Sequence, residues 1–229
     1  MIIRELTDTY DLGAEFFNWE FATACAGWRL GLNPFDQPNV QEAKDATKEL
    51  LTSFTNRGQL DPRAEIAKDD ILTIYGEASE SSPESVAAVL KAQLATVKPG
   101  DYIAFLNFIE ETDEFNRQFQ EIRTGLRAGT HCAVTIGYGP RFLHSTGQLH
   151  KGGPGTGVFF QIIANDQTDL PVPGEPYTFS ILKQAQALGD LRALVKRGRR
   201  VIGIDLGDDT ARGLRHLAEL LPEAVILNA

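Results

Sequence analysis

The chain of 229 residues carries 22 Lys and Arg against 31 Asp and Glu, a formal net charge of -9 at pH 7, with 42% hydrophobic and 9% aromatic residues. That balance belongs to a globular protein with a buried core, and it excludes collagen, a short disulfide scaffold and a coiled coil. With no overall positive field, nucleic acid and anionic membrane are not expected partners, and an anionic ligand must find its positive charge locally.

Residues 1–6 predict a short strand and residues 12–32 a helix whose charges are Glu15, Glu20 and Arg29. Phe17, Phe21, Ala24 and Trp28 form one stripe on that helix and Leu12, Phe16 and Thr23 another, so it is expected to be buried on most faces, with Glu20 as a paired structural carboxylate. Cys25 and Cys132 both sit among small or apolar neighbours and read as packed, reduced thiols of a cytoplasmic protein. No apolar run is long enough to span a bilayer.

Pro34 and Pro38 break the helix, and the spacing of Val40, Ala43, Thr47, Leu50 and Leu51 predicts another over 39–53. Residues 55–70 read as an exposed variable loop. Beyond it the period alternates: strand 71–75, helix 83–97 with Ser82 as N-cap, strand 102–108, helix 114–126 and strand 132–137. Further strands are expected at 158–164, 200–205 and 224–227, with helices at 178–195 and 210–220. This predicts an α/β domain over 1–229, a mostly parallel sheet with helices on both faces and a helical N-terminal segment, 1–54. Strands 102–108 and 132–137 are expected side by side in its interior, with ligands beyond the carboxyl ends.

The polar stretch 137–157 holds repeated glycines with Arg141, His144, Ser145, Thr146, Gln148, His150 and Lys151. Glycine lets backbone approach a ligand closely, and histidine can carry a proton near neutral pH, so this reads as a binding or catalytic loop. Neither a phosphate-cradling Gly-x-x-x-x-Gly-Lys loop nor a Gly-x-Gly-x-x-Gly turn after the first strand is present, and His131, His144 and His150 have no acidic or thiol partner at metal spacing. The basic run Lys196, Arg197, Arg199 and Arg200 reads as a solvated helix end.

Two segments narrow the function. Gly31-Leu32-Asn33-Pro34-Phe35-Asp36-Gln37 through Val40 to Lys44, and Leu143-His144-Ser145-Thr146-Gly147-Gln148, resemble two motifs of the glucose-6-phosphate isomerase family. The text from Glu15 to Ala24 and from His150 to Phe179 is most similar to the isomerase half of fused transaldolase and glucose-6-phosphate isomerase proteins. The resemblance implies a sugar-isomerase domain of SIS type that interconverts glucose 6-phosphate and fructose 6-phosphate without a cofactor or metal. It implies His144 and Lys44 as catalytic residues of ring opening, Gln37, Ser145, Thr146 and Gln148 as substrate-binding residues, and a homodimer.

Lys44 precedes His144, as in the fused subgroup, and the Glu-Ser-x-Gly-Lys segment that carries the family's base is absent; the closest text is 77–82. The chain is therefore expected to be the C-terminal part of a longer isomerase, inactive until an upstream segment or domain completes it, with Glu20 and Glu175 as its own carboxylates to test. The alternative is a non-catalytic sugar-phosphate-binding or regulatory domain.

Overall fold

The computed structural model describes residues 5–36, 38–77 and 85–226, and only the backbone of Ser145 and of residues 222–226. Its chain divides into two compact units, Met1–Gln37 and Pro38–Ala229, so the boundary falls inside the expected segment 1–54.

The first unit is one helix, α1 (Thr9–Leu30), and a short turn. Asp8 starts it with a capping box, accepting from the N–H groups of Tyr10 and Asp11, and Gly31 ends it at φ 70 in the left-handed region that glycine adopts without strain. Of the strand expected at 1–6, residues 1–4 lie outside the described residues, and Glu5 and Leu6 are not in a strand. The expected burial of α1 is not found: Phe17 is 66% and Trp28 83% exposed, and Glu20 and Cys25 are exposed too. The physical reason is that this unit offers α1 little to bury against. Pro34 folds back on the buried Gly27, where a Cβ would come within 2.5 Å of the proline ring.

The second unit is built on a six-stranded sheet, β1 (Glu65–Lys68), β2 (Thr73–Tyr75), β3 (Tyr102–Phe108), β4 (Ala133–Tyr138), β5 (Gly157–Ile163) and β6 (Arg200–Asp205), in the order β1-β2-β6-β5-β3-β4. From β6 to β4 the pairing is parallel, and β1 and β2 add an antiparallel edge. The α/β class with a mostly parallel sheet holds. Burial of all of β5, and of β3 past its half-buried Tyr102, explains why those strands read as nearly continuous apolar runs. β4 pairs with β3 as expected but lies at the sheet edge rather than inside, and its alternating exposure, with Ala133 and Thr135 out, matches that place.

Helices cover both faces. On one, α3 (Val86–Ala95), α4 (Asp113–Thr130) and α7 (Thr210–Ile226) bury Leu90, Phe119 and Leu217 against Ile103, Phe105, Phe160 and Ile204. On the other, α6 (Phe179–Lys196) sets Ala187, Leu191 and Leu194 on Ala104, Leu106 and Phe159, and α2 (Pro38–Arg57) lies over α6 through Leu50, Ala185 and Leu188. The last helix, α5 (Ser145–Gly152), belongs to the second group.

Several expectations change. α2 runs through residue 57 and β1 occupies 65–68, so 55–70 is less of a loop than its composition implies. Ser85 caps α3, while the cap expected at Ser82 lies outside the described residues. α7 continues to Ile226 where a last strand was expected, because it carries Leu214, Leu217 and Leu221 onto the core at helical spacing.

Candidate active site

β4 ends in a cis Gly139–Pro140 bond and a single 3-10 turn, Arg141–Leu143, before His144 opens α5. Two contacts hold this corner down. Phe142 is buried edge-on to Phe108 at 5.3 Å between ring centroids, and Gly139 passes so close to that ring that a Cβ would stand 2.7 Å from it. His144 itself stays exposed, its carbonyl accepting from the Gln148 N–H at 2.9 Å.

Beside it, one face of α2 repeats at three and four: Val40, Ala43, Lys44, Thr47, Lys48, Leu51, Thr52 and Thr55. These residues and Pro140, Leu143, His144, Glu175, Tyr177 and Gln186 enclose a cavity of 560 Å³. Lys44 and His144, which the sequence pairs only through two separate motifs, therefore share one cavity. Thr47, Thr52 and Thr55 each donate to the carbonyl four residues back, at 2.9 Å, which leaves their oxygens free to accept from a ligand's hydroxyls.

The opposite lip is a hairpin. Leu170 and Phe179, Val172 and Tyr177 pair through backbone hydrogen bonds of 2.9 and 3.1 Å, with Gly174 at φ 82 near the tip. This puts Glu175 and Tyr177 on the cavity wall, and burial together with the neighbouring Glu175 carboxylate raises the Tyr177 phenol. Glu175 is thus the one of the two carboxylates singled out in the sequence that lines this cavity. The wall combines two ammonium groups, an imidazole, a carboxylate and hydroxyls, a set suited to a phosphorylated polyol.

The other implied residues fall elsewhere. Gln37 lies outside the described residues, and Ser145 is the first residue of α5. Thr146 is exposed on α5 away from the cavity. Gln148 turns to α2, accepting from the Asn39 N–H at 3.0 Å and donating to the Asn39 side chain at 2.8 Å. It braces one wall against the other. The basic run is also not simply solvated: Arg197 pairs with Glu42 at 2.8 Å, Arg199 donates to the Lys151 and Gly153 carbonyls at 2.7 Å, and Arg200 reaches Asp101 at 2.7 Å. Arginine's several donors satisfy carbonyls at the end of α5 that have no helical partner.

The face of α2 that lines the cavity was readable as a helical stripe, yet its Lys48 and Thr52 gave no separate signal, because lysine and threonine at helical spacing most often face solvent. Gln186 was equally silent. A second cavity, of 890 Å³, lies at the carboxyl ends of β3, β5 and β6. Glu110, Asp166, Asp208 and Asp209 line it, an acidic wall unsuited to phosphate, and Asp166 and Asp209 are engaged by Lys183 and the Arg212 N–H. Among the described residues no cluster of His, Cys, Asp and Glu can hold a metal, and no helix is long and apolar enough to cross a membrane.

No protein-family model matches the chain, and no curated protein matches it. Among solved structures it is similar to a hypothetical protein, TT0462, from Thermus thermophilus, at 20% identity and a TM-score of 0.47, over 62% of this chain. The chain spans 38% of that protein's length.

Proposed function

We propose that this cavity is the ring-opening part of an aldose-ketose isomerase site for glucose 6-phosphate and fructose 6-phosphate. The observation that carries the reading is that Lys44 of α2 and His144 at the start of α5 line one cavity. In ring opening the bond between the anomeric carbon and the ring oxygen breaks. His144 gives the ring oxygen a proton, and the anomeric hydroxyl loses its own to water as the carbonyl forms. The Lys44 ammonium bears on the anomeric oxygen and damps its developing negative charge. Lys48, one helical turn along, adds charge for the phosphate, and the threonine oxygens accept from sugar hydroxyls.

Moving hydrogen between carbons needs a carboxylate as well, and Glu175 on the opposite lip is the first to test. The chain's own part is separable from that step. Exchange between the two anomers of glucose 6-phosphate requires ring opening and no carbon base, and magnetisation-transfer NMR measures it. The chain should accelerate this exchange, and His144→Ala should lower the acceleration on the order of 100-fold, the usual worth of a positioned general acid. Lys44→Met should lower it about tenfold or more and weaken sugar-phosphate binding as well. Binding of the sugar phosphate without faster exchange would instead favour a non-catalytic sugar-phosphate-binding domain.

A further inference from the structure

Lys151, one of the polar residues of the glycine-rich stretch, takes no part in the cavity wall. Its ammonium stands 2.5 Å from the Asp190 carboxylate, and each side chain is 1% exposed. An ion pair so fully removed from water is costly, and an apolar pair of the same size would hold helices together as well or better. Its place is therefore informative. Lys151 lies on α5 and Asp190 on α6, with buried Gln161 of β5 as a further polar group in this layer.

Each end of the pair lies beside a helix contact that shapes the cavity. The lysine runs back along α5 beneath Gly147, three residues after His144, where an added Cβ would come 3.2 Å from the ammonium and 3.0 Å from the Phe142 carbonyl. On α6 the residue before Asp190 is Gly189, where a Cβ would come 3.3 Å from the backbone nitrogen of Thr47 on α2. Burial pushes the Asp190 carboxyl up, and the Lys151 charge works the other way.

We infer that the buried Lys151–Asp190 pair is a positioning element that sets His144 on α5 in register with Lys44 on α2. An apolar contact would let α5 slide or turn by small amounts, whereas a single buried ammonium has one place where its charge is met. This rests on the reading of the cavity as a ring-opening site, and it concerns residues that touch no substrate.

The test is the double variant Lys151→Met/Asp190→Asn, which removes both charges and keeps the side-chain sizes. It should fold, by circular dichroism and a cooperative melt. Anomer exchange at saturating glucose 6-phosphate should fall about tenfold or more while the sugar's dissociation constant changes by less than about twofold, the split expected of misplacement rather than lost contact. A second readout is independent of activity. Lys44→Met should move the His144 ring resonances in the native background and leave them unmoved in the double variant. A folded double variant with native exchange and the native resonance shift overturns the inference. If the native chain does not accelerate exchange, the ring-opening reading fails and the resonances alone judge the pair; no shift in the native background would overturn the juxtaposition and the inference with it. Should the double variant not fold, Lys151→Met alone, which leaves an Asp190 carboxyl already pushed up by burial, is judged by the same two readouts.

Discussion

His150 shows how one buried side chain can govern acid stability without entering the chemistry. It lies 4% exposed between Tyr102 and Phe159, with ring centroids 5.9 and 4.9 Å away. Burial first, and the adjacent Lys151 charge second, lower it from 6.5 to about 4. The folded protein therefore refuses a proton that the unfolded chain accepts, so stability is complete above pH ~6.5 and is lost as pH falls toward 4. Over that interval the loss amounts to about 3 kcal/mol. Carboxylates held low by hydrogen bonds and charge, such as Asp101 with Arg200 and Glu42 with Arg197, lose their contribution in a lower range, below about pH 4. Urea unfolding at pH 7 and pH 4.5 separates the two. His150→Phe keeps a ring against Tyr102 and Phe159, and it should abolish most of the fall between those pH values; an unchanged fall would assign it to other groups.

At the scale of elements, the contact of α2 with α6 decides the shape of the cavity. Gly189 lets the helices close until a Cβ would stand 3.2 Å from the Thr47 hydroxyl and 3.3 Å from its backbone nitrogen. Gly189→Val must push α2 outward, costing about 2 kcal/mol as overpacking does, and should slow anomer exchange because Thr47 and Lys44 move together. A urea series and the exchange measurement on one sample check both. Elements with a helical period or a continuous apolar run were legible in the sequence: α2, α4, α6, β3 and β6 lie within a few residues of their expected places. α5 was not, since Gly147 and Gly152 depress its helix propensity, and tertiary bonds from Asn39 and Arg199 hold it instead. β1 was hidden for a related reason: a four-residue edge strand amid polar residues has no periodic signal of its own. The site was half legible. His144 and Lys44, named from the motif resemblance, both line the cavity, but that Gln148 would turn to Asn39 and Glu175 to the cavity depends on how α2 and the hairpin lie over the sheet, which no local pattern encodes.

Over the whole second unit, the sheet separates two apolar layers with different duties. The layer of α3, α4 and α7 holds Leu217, fully buried, and shares no buried residue with the lining of the His144 cavity. The layer of α6 holds Phe142, 6% exposed, two residues before His144 and edge-on to Phe108. Truncating either side chain leaves a cavity in a close-packed core, so Leu217→Ala and Phe142→Ala should each cost about 3 kcal/mol, in the range seen for large-to-alanine changes. Their effects on the site should differ. Loss of Phe142 frees the 3-10 turn that aims His144, so anomer exchange should fall in the folded variant, whereas loss of Leu217 lies across the sheet and should leave exchange within about twofold of native, since sites that share no partners act nearly independently. Measured at a temperature where both variants are folded, exchange slowed equally by the two changes would mean that the sheet does not insulate the site from the far layer.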